Sequence, residues 1–191
     1  MPGNLSEAPP RPPGSLAPRH RITLVQGEHV AVARPGAVIA TLLGSCIAVC
    51  LHDAAAHVGG MNHFLLGEPG ADQHVRPGEL SRYGIHAMEL LINAMMKAGA
   101  ERGRLRANLY GGANIIAGLG GIGSANAAFA KRFLATEGIT VGQSDTGGTL
   151  ARKVEFRPYD GKVRCKTVAD RPLPPPITPR MPAGCGEIEL F

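Results

Sequence analysis

A layered α+β domain with a mixed, largely antiparallel sheet core and two main helices is what this 191-residue sequence predicts. Three observations carry that expectation. Short β-branched or apolar runs bounded by glycine or proline recur along the chain; only two segments keep apolar residues at helical spacing over several turns; and the two kinds do not alternate as a doubly wound sheet requires. Hydrophobic residues make up 44% of the chain, enough for a core at this length, and 12 of the 16 prolines crowd into its two ends. A single domain over 21–169 is therefore expected, flanked by Pro-rich tails at 1–20 and 170–191. Prolines in the first tail interrupt every helix or ladder it starts, so that tail is expected to be disordered.

Residues 22–26 and 28–32 carry short β-type patterns, and Pro35-Gly36 marks a turn. A continuous apolar run over 37–43 stops at Gly44, and beyond Gly44-Ser45 the segment 46–52 is again apolar and β-branched, which reads as a buried strand. After a turn near 53–57 another strand is expected at 58–65. Over 79–98, Met88, Leu91, Ile92 and Met95 recur at helical spacing, and Gly99 supplies the stop. Residues 104–110 read as a strand broken at Gly111-Gly112. The second helix is expected at 124–137, through Ala128, Phe129, Phe133 and Leu134, with strands at 139–143, 151–156 and 162–168.

Composition excludes several classes of function. The net charge is only +5, and three Tyr, five Phe and no Trp make a poor stacking platform for single-stranded nucleic acid. Arg102, Arg104 and Arg106 read as a solvated strand entrance rather than a phosphate-binding stripe, so no nucleic-acid partner is expected. No run approaches the roughly 20 apolar residues of a membrane span, and the first 20 residues lack the charged-then-apolar order of a secretory signal. A cytoplasmic protein without membrane insertion is the expectation. Four cysteines are too few for a disulfide scaffold at this length.

The most distinctive local feature is Leu43-Gly44-Ser45-Cys46, where two small residues let the backbone turn sharply beside a thiol. A nucleophile needs such access and also a base. His63, in Gly59-Gly60-Met61-Asn62-His63, follows 17 residues later, and a hairpin between the two strands brings it back beside Cys46. An adjacent imidazole would hold the thiol as a thiolate–imidazolium pair. On the pattern alone the bland reading stands beside this one, because a lone Cys in an apolar run is more often inert filler and a strand His a satisfied polar group. Cys46 and Cys50, four strand steps or about 13 Å apart, exceed the ~7 Å Cα limit of a disulfide and are too distant to share a zinc. Cys50 therefore reads as core, Cys165 and Cys185 have no His nearby, and neither metal nor cofactor is expected. The glycine pairs at 111–112, 120–121 and 147–148 read as tight turns near a cleft, since the second lacks the Lys of a phosphate loop.

Five stretches resemble the CheD-type chemoreceptor glutamine deamidases: Thr41-Leu-Leu-Gly-Ser-Cys-Ile-Ala-Val-Cys-Leu51, Gly59-Gly-Met-Asn-His-Phe-Leu65, Tyr110-Gly-Gly-Ala113, Ile122-Gly-Ser-Ala-Asn126 and Asp145-Thr-Gly-Gly-Thr-Leu-Ala-Arg-Lys-Val154. The resemblance implies a cysteine hydrolase that converts glutamines of methyl-accepting chemotaxis receptors to glutamate through a Cys46 thioester, with His63 and Thr41 completing the catalytic set. Gly44, Ser45 and Asn62 are then the candidate oxyanion and substrate-binding residues. It further implies a layered fold similar to bacterial toxin deamidases, a CheC-type phosphatase as a partner, and hydrolysis of receptor methyl esters as a second reaction. A rival from another class is a non-catalytic adaptor that holds a receptor or phosphatase helix in the same cleft, while a thiol redox protein would need a Cys-x-x-Cys pair that is not here.

Overall fold

The runs over 37–43, 46–52 and 58–65 become strands, and the last two are buried on both faces because they lie between two packed layers. The computed structural model describes residues 20–65, 84–115 and 121–168. Its elements are β1 (Arg21–Thr23), β2 (His29–Val32), β3 (Val38–Leu43), β4 (Ile47–Asp53), β5 (Val58–Phe64), α1 (Gly84–Lys97), β6 (Arg106–Gly111), α2 (Ile122–Thr136), β7 (Thr140–Thr146), β8 (Ala151–Arg157) and β9 (Lys162–Val168). The α+β expectation with two helices holds among the described residues. Both Pro-rich tails, and residues 79–83 of the expected first helix, lie outside them.

The strands form two sheets rather than one. Four strands run in the order β1-β3-β8-β9 and five in the order β2-β5-β4-β6-β7. Pairing is antiparallel except for β1 with β3 and β6 with β7, so the sheets are mixed, as expected. Side-chain parity divides the core. From β4 and β5, Ile47, Val49, Leu51, Val58 and Phe64 face α1 and α2, whereas Ala48, Cys50 and Met61 face Ile39 and Leu43 of β3 and Val154 and Phe156 of β8. The five-stranded sheet is thus the middle of three layers, with the helices on one side and the four-stranded sheet on the other.

Arg104 corrects one expectation. It closes a single 3-10 turn, Arg102–Arg104, and the strand begins only at Arg106. Buried Asp53 at the end of β4 explains the difference. Its carboxylate accepts from the backbone N–H groups of Ala55, Ala56 and Glu101 and from the Arg104 guanidinium, at 2.9–3.2 Å. Arg104 is therefore a tie between the β4–β5 turn and the start of β6 as well as a solvent-exposed arginine, and it holds the Asp53 carboxyl well below the usual carboxylate range.

Because the folded-state pKa of Asp53 lies below its unfolded value near ~4, its contribution is complete above that pH and is lost as the pH falls further. Asp53→Asn is expected to lower the unfolding free energy near neutral pH by about 3 kcal/mol and to flatten the acid limb of the stability profile. Urea denaturation of the two proteins across the acid range measures both effects; equal stability at neutral pH would remove Asp53 as a structural tie.

Candidate active site

The β4–β5 hairpin sets the candidate residues in place. Its register pairs Ala48 with His63, so the imidazole lies one step from the chain entering β4, where Cys46 sits. On β5, His63 shares the parity of Met61 and enters the layer between the sheets; from the opposite sheet, Thr41 of β3 meets it. The Thr41 hydroxyl donates to the Leu24 carbonyl at 2.9 Å and lies 2.8 Å from His63 Nδ1. A carbonyl only accepts, and a hydroxyl has one proton to give. Satisfying all three groups therefore requires Nδ1–H to donate to Thr41, which we assign as the tautomer. The Nε2 lone pair is left buried, with no hydrogen-bond partner among the described residues.

The His63 backbone is held as firmly as its ring. Its N–H donates to the Glu28 carbonyl at 3.0 Å, and its carbonyl accepts from Gly27 N–H at 2.7 Å. Burial lowers the pKa of the imidazole, against weaker opposing contributions from the Leu24 carbonyl and Glu28, and so favours the neutral base.

Cys46 lies in the turn between β3 and β4, clamped from the far side by the glycine turn at 111–112. Gly112 N–H donates to the Cys46 carbonyl at 2.7 Å, Ala113 N–H to the Gly44 carbonyl at 2.9 Å, and the buried Asn126 amide to the Ser45 carbonyl at 3.2 Å. Gly111 and Gly112 have φ of 107° and 66°, and a Cβ on Gly111 would run into the Cys46 carbonyl, so glycine is required for this approach. A groove of about 230 Å³ opens here, walled by Gly44, Ser45, Cys46, Asn114 and Ile115. The N–H groups of Ser45 and Cys46 make no backbone–backbone hydrogen bond among the described residues.

Resting protonation differs from the thiolate–imidazolium pair expected from the sequence. Burial pushes the Cys46 thiol above its ordinary range, with its own backbone N–H opposing. Desolvation thus favours the uncharged form of both groups, and no hydrogen bond joins them: the Cys46 thiol instead donates to Gln26 Oε1 at 3.5 Å. Burial thus works against a thiolate–imidazolium pair and toward a neutral thiol beside a neutral imidazole.

Asn62 is the site residue that the structure moves elsewhere. It has the opposite parity to His63 and is fully buried against α1, where Oδ1 accepts from Val49 N–H at 3.0 Å and Nδ2 donates to the Ala87 carbonyl at 3.1 Å. With its amide committed to the fold, it does not serve the groove as an oxyanion or substrate group. Cys50 is core between the sheets, as expected, and burial drives its thiol far up. Among the described residues no group of three or more His, Cys, Asp or Glu could hold a metal ion. Sequence reasoning missed Gln26, which touches the thiol, and the structural role of Asn126. A polar side chain within the apolar periodicity of a helix was the available signal for the latter.

Together these parts define a two-sheet α+β protein in which Cys46 lines a groove at the turn 44–46 and His63 lies buried on the inner face of β5. The chain belongs to the CheD family. The model of that family, described as CheD chemotactic sensory transduction, matches residues 65–167. Proteins described as probable chemoreceptor glutamine deamidase CheD share 48% identity with it in Zymomonas mobilis, covering 90% of this chain and 92% of that one, and 48% in Caulobacter vibrioides, covering 90% and 93%. The Rhizobium rhizogenes relative is 51% identical over 78% of this chain and 80% of its own.

A thiol kept neutral by burial should react with iodoacetamide ever faster from about pH 7 to about pH 9, with no plateau. Peptide mapping by mass spectrometry isolates the Cys46 rate from those of the other cysteines. A plateau already reached below about pH 7 would mean a preformed thiolate and contradict the assignment.

Proposed function

We propose that this protein is a chemoreceptor glutamine deamidase, a protein-glutamine glutaminase that hydrolyses the side-chain amide of receptor glutamines to the carboxylate and ammonia. The observation that carries the reading is the buried, unpartnered Nε2 of His63, fixed by Thr41 beside the cysteine turn. His52 Nε2 is likewise without a partner among the described residues, but only His63 has its other ring nitrogen fixed by a buried hydroxyl, which leaves Nε2 as the lone pair a general base requires.

In the proposed reaction Cys46 is the nucleophile. Since thiol and imidazole rest uncharged, proton transfer from Sγ to Nε2 accompanies attack on the amide carbon rather than preceding it. The Cys46 side chain first turns from Gln26 toward His63. Sulfur then adds to the carbon, and the carbonyl oxygen becomes an oxyanion, which the unengaged Ser45 and Cys46 N–H groups are placed to receive; losing one such donor costs about 3 kcal/mol of transition-state stabilisation. The imidazolium returns its proton to the departing nitrogen, so ammonia leaves and a thioester remains. His63, neutral again, takes a proton from water, which attacks the thioester and releases the glutamate side chain and the thiol. Thr41 keeps the ring in the tautomer that each of these transfers needs.

The resemblance alone extends the proposal to receptor methyl esters, which differ from the amide only in the leaving group, and to a CheC-type phosphatase as a partner. Action on the cytoplasmic side of the membrane is part of the same reading. Among the described residues no helix is long and apolar enough to cross a membrane.

Incubating the full chain with purified receptor cytoplasmic fragments and mapping each glutamine by mass spectrometry tests the proposal. A gain of about one mass unit at particular glutamines is expected. Cys46→Ala should abolish it while the protein stays folded, and His63→Ala should lower kcat/KM by about 10²- to 10⁴-fold. In the wild type kcat/KM should rise with pH through a limb that lies below the ordinary imidazole value of ~6.5. Wild-type turnover in a folded Cys46→Ala variant would overturn the mechanism, and receptor binding with no mass change would favour the adaptor.

A further inference from the structure

Gln26 carries the very chemical group the proposed reaction hydrolyses, and it stands against the proposed nucleophile, with Oε1 accepting from Cys46 Sγ at 3.5 Å. Its place is built into the fold. Residues 25–28 form a tight turn in which Glu28 N–H donates to the Val25 carbonyl at 3.1 Å and Gly27 takes the left-handed φ of 93° that such a turn requires at its third position. The Glu28 carboxylate closes the turn again by accepting from Val25 N–H at 2.8 Å. The two residues that follow Gln26 are then bonded to the main chain of the base itself: Gly27 N–H donates to the His63 carbonyl, and His63 N–H donates to the Glu28 carbonyl. The turn that presents the carboxamide is thus anchored on the residue that would serve the reaction.

The pose is the reverse of a productive one. Attack needs the sulfur opposite the amide carbon and the amide oxygen turned toward N–H donors, whereas here the oxygen faces the thiol proton. While Cys46 gives its proton to Gln26, it cannot give it to His63, and Nε2 is indeed without a partner among the described residues. Gln26 is also exposed, so its side chain can swing away without disturbing the core.

We infer that Gln26 is an intramolecular pseudosubstrate: its carboxamide occupies the carboxamide position of the site in an unreactive pose, and a substrate glutamine displaces it before Cys46 can turn to His63. The inference rests on the deamidase reading above. It makes the resting site a closed state in competition with substrate, so the apparent affinity for substrate is reduced by the fraction of molecules that are open, while turnover of the bound complex is untouched.

Full-length wild type, Gln26→Ala and Gln26→Met are compared for kcat and KM on a receptor cytoplasmic fragment and for the rate of Cys46 alkylation by iodoacetamide. Methionine keeps the length of the side chain and lacks the amide. Both variants are expected to lower KM about three- to five-fold with kcat unchanged and to speed alkylation by a similar factor, and Gln26 in the wild type is expected to remain an amide throughout turnover. Unchanged KM and alkylation, or a fall in kcat at constant KM, would overturn the inference; so would conversion of Gln26 to glutamate, which requires a reactive pose. If no variant turns over receptor while alkylation is still accelerated, the deamidase reading fails and the Gln26–Cys46 plug stands.

Discussion

The chemistry proposed for the cleft depends on one hydrogen-bonded chain, from the Leu24 carbonyl through the Thr41 hydroxyl to His63 Nδ1. Its members come from different layers. Thr41 is carried by the four-stranded sheet and His63 by the five-stranded one, so the packing of sheet on sheet determines which nitrogen of the imidazole holds the proton. Strand register is equally decisive, because a shift of β5 by one residue would turn His63 into the helix layer and bring Asn62 to face Thr41. The apolar contacts of Ile39, Leu43, Met61 and Phe156 around the chain are what hold both sheets to that register.

The same apolar surroundings set the electrostatics. Burial raises the pKa of Cys46 and lowers that of His63, so in the proposed reaction both charges develop only as the oxyanion forms. A neutral thiol resting against a carboxamide is chemically quiet. Reactivity then follows from displacement and alignment rather than from a standing thiolate, and the glycine turn at 111–112 contributes by fixing the Cys46 backbone while the side chain remains free to turn.

Much of the frame was legible in the sequence, and the reasons are physical. Short apolar and β-branched runs marked the strands, and the spacing of Met88, Leu91, Ile92 and Met95 marked the helix, because burial imposes those patterns. Gly44-Ser45-Cys46 and His63 could be paired because a hairpin joins adjacent runs. Parity on β5 was legible too, and applied to Asn62 it separates that residue from His63 without any structure. The role of Arg104 was not readable, since it depends on Asp53 some 51 residues away. Gln26 was hidden for the same reason: its turn is fastened to His63 by main-chain bonds that no local pattern announces. The split into two sheets depended on which strands pair, information that spacing along the chain does not carry.

The assignment of the His63 tautomer is the point on which the account turns, and nitrogen NMR of the protein labelled with ¹⁵N-histidine measures it directly. Near neutral pH the account predicts a neutral imidazole with the proton on Nδ1, seen as a coupled N–H there and an unprotonated shift at Nε2. In Thr41→Val that preference should disappear. A proton found on Nε2 in the wild type, or an imidazolium at neutral pH, would contradict the account, because neither leaves a lone pair to take the proton of Cys46.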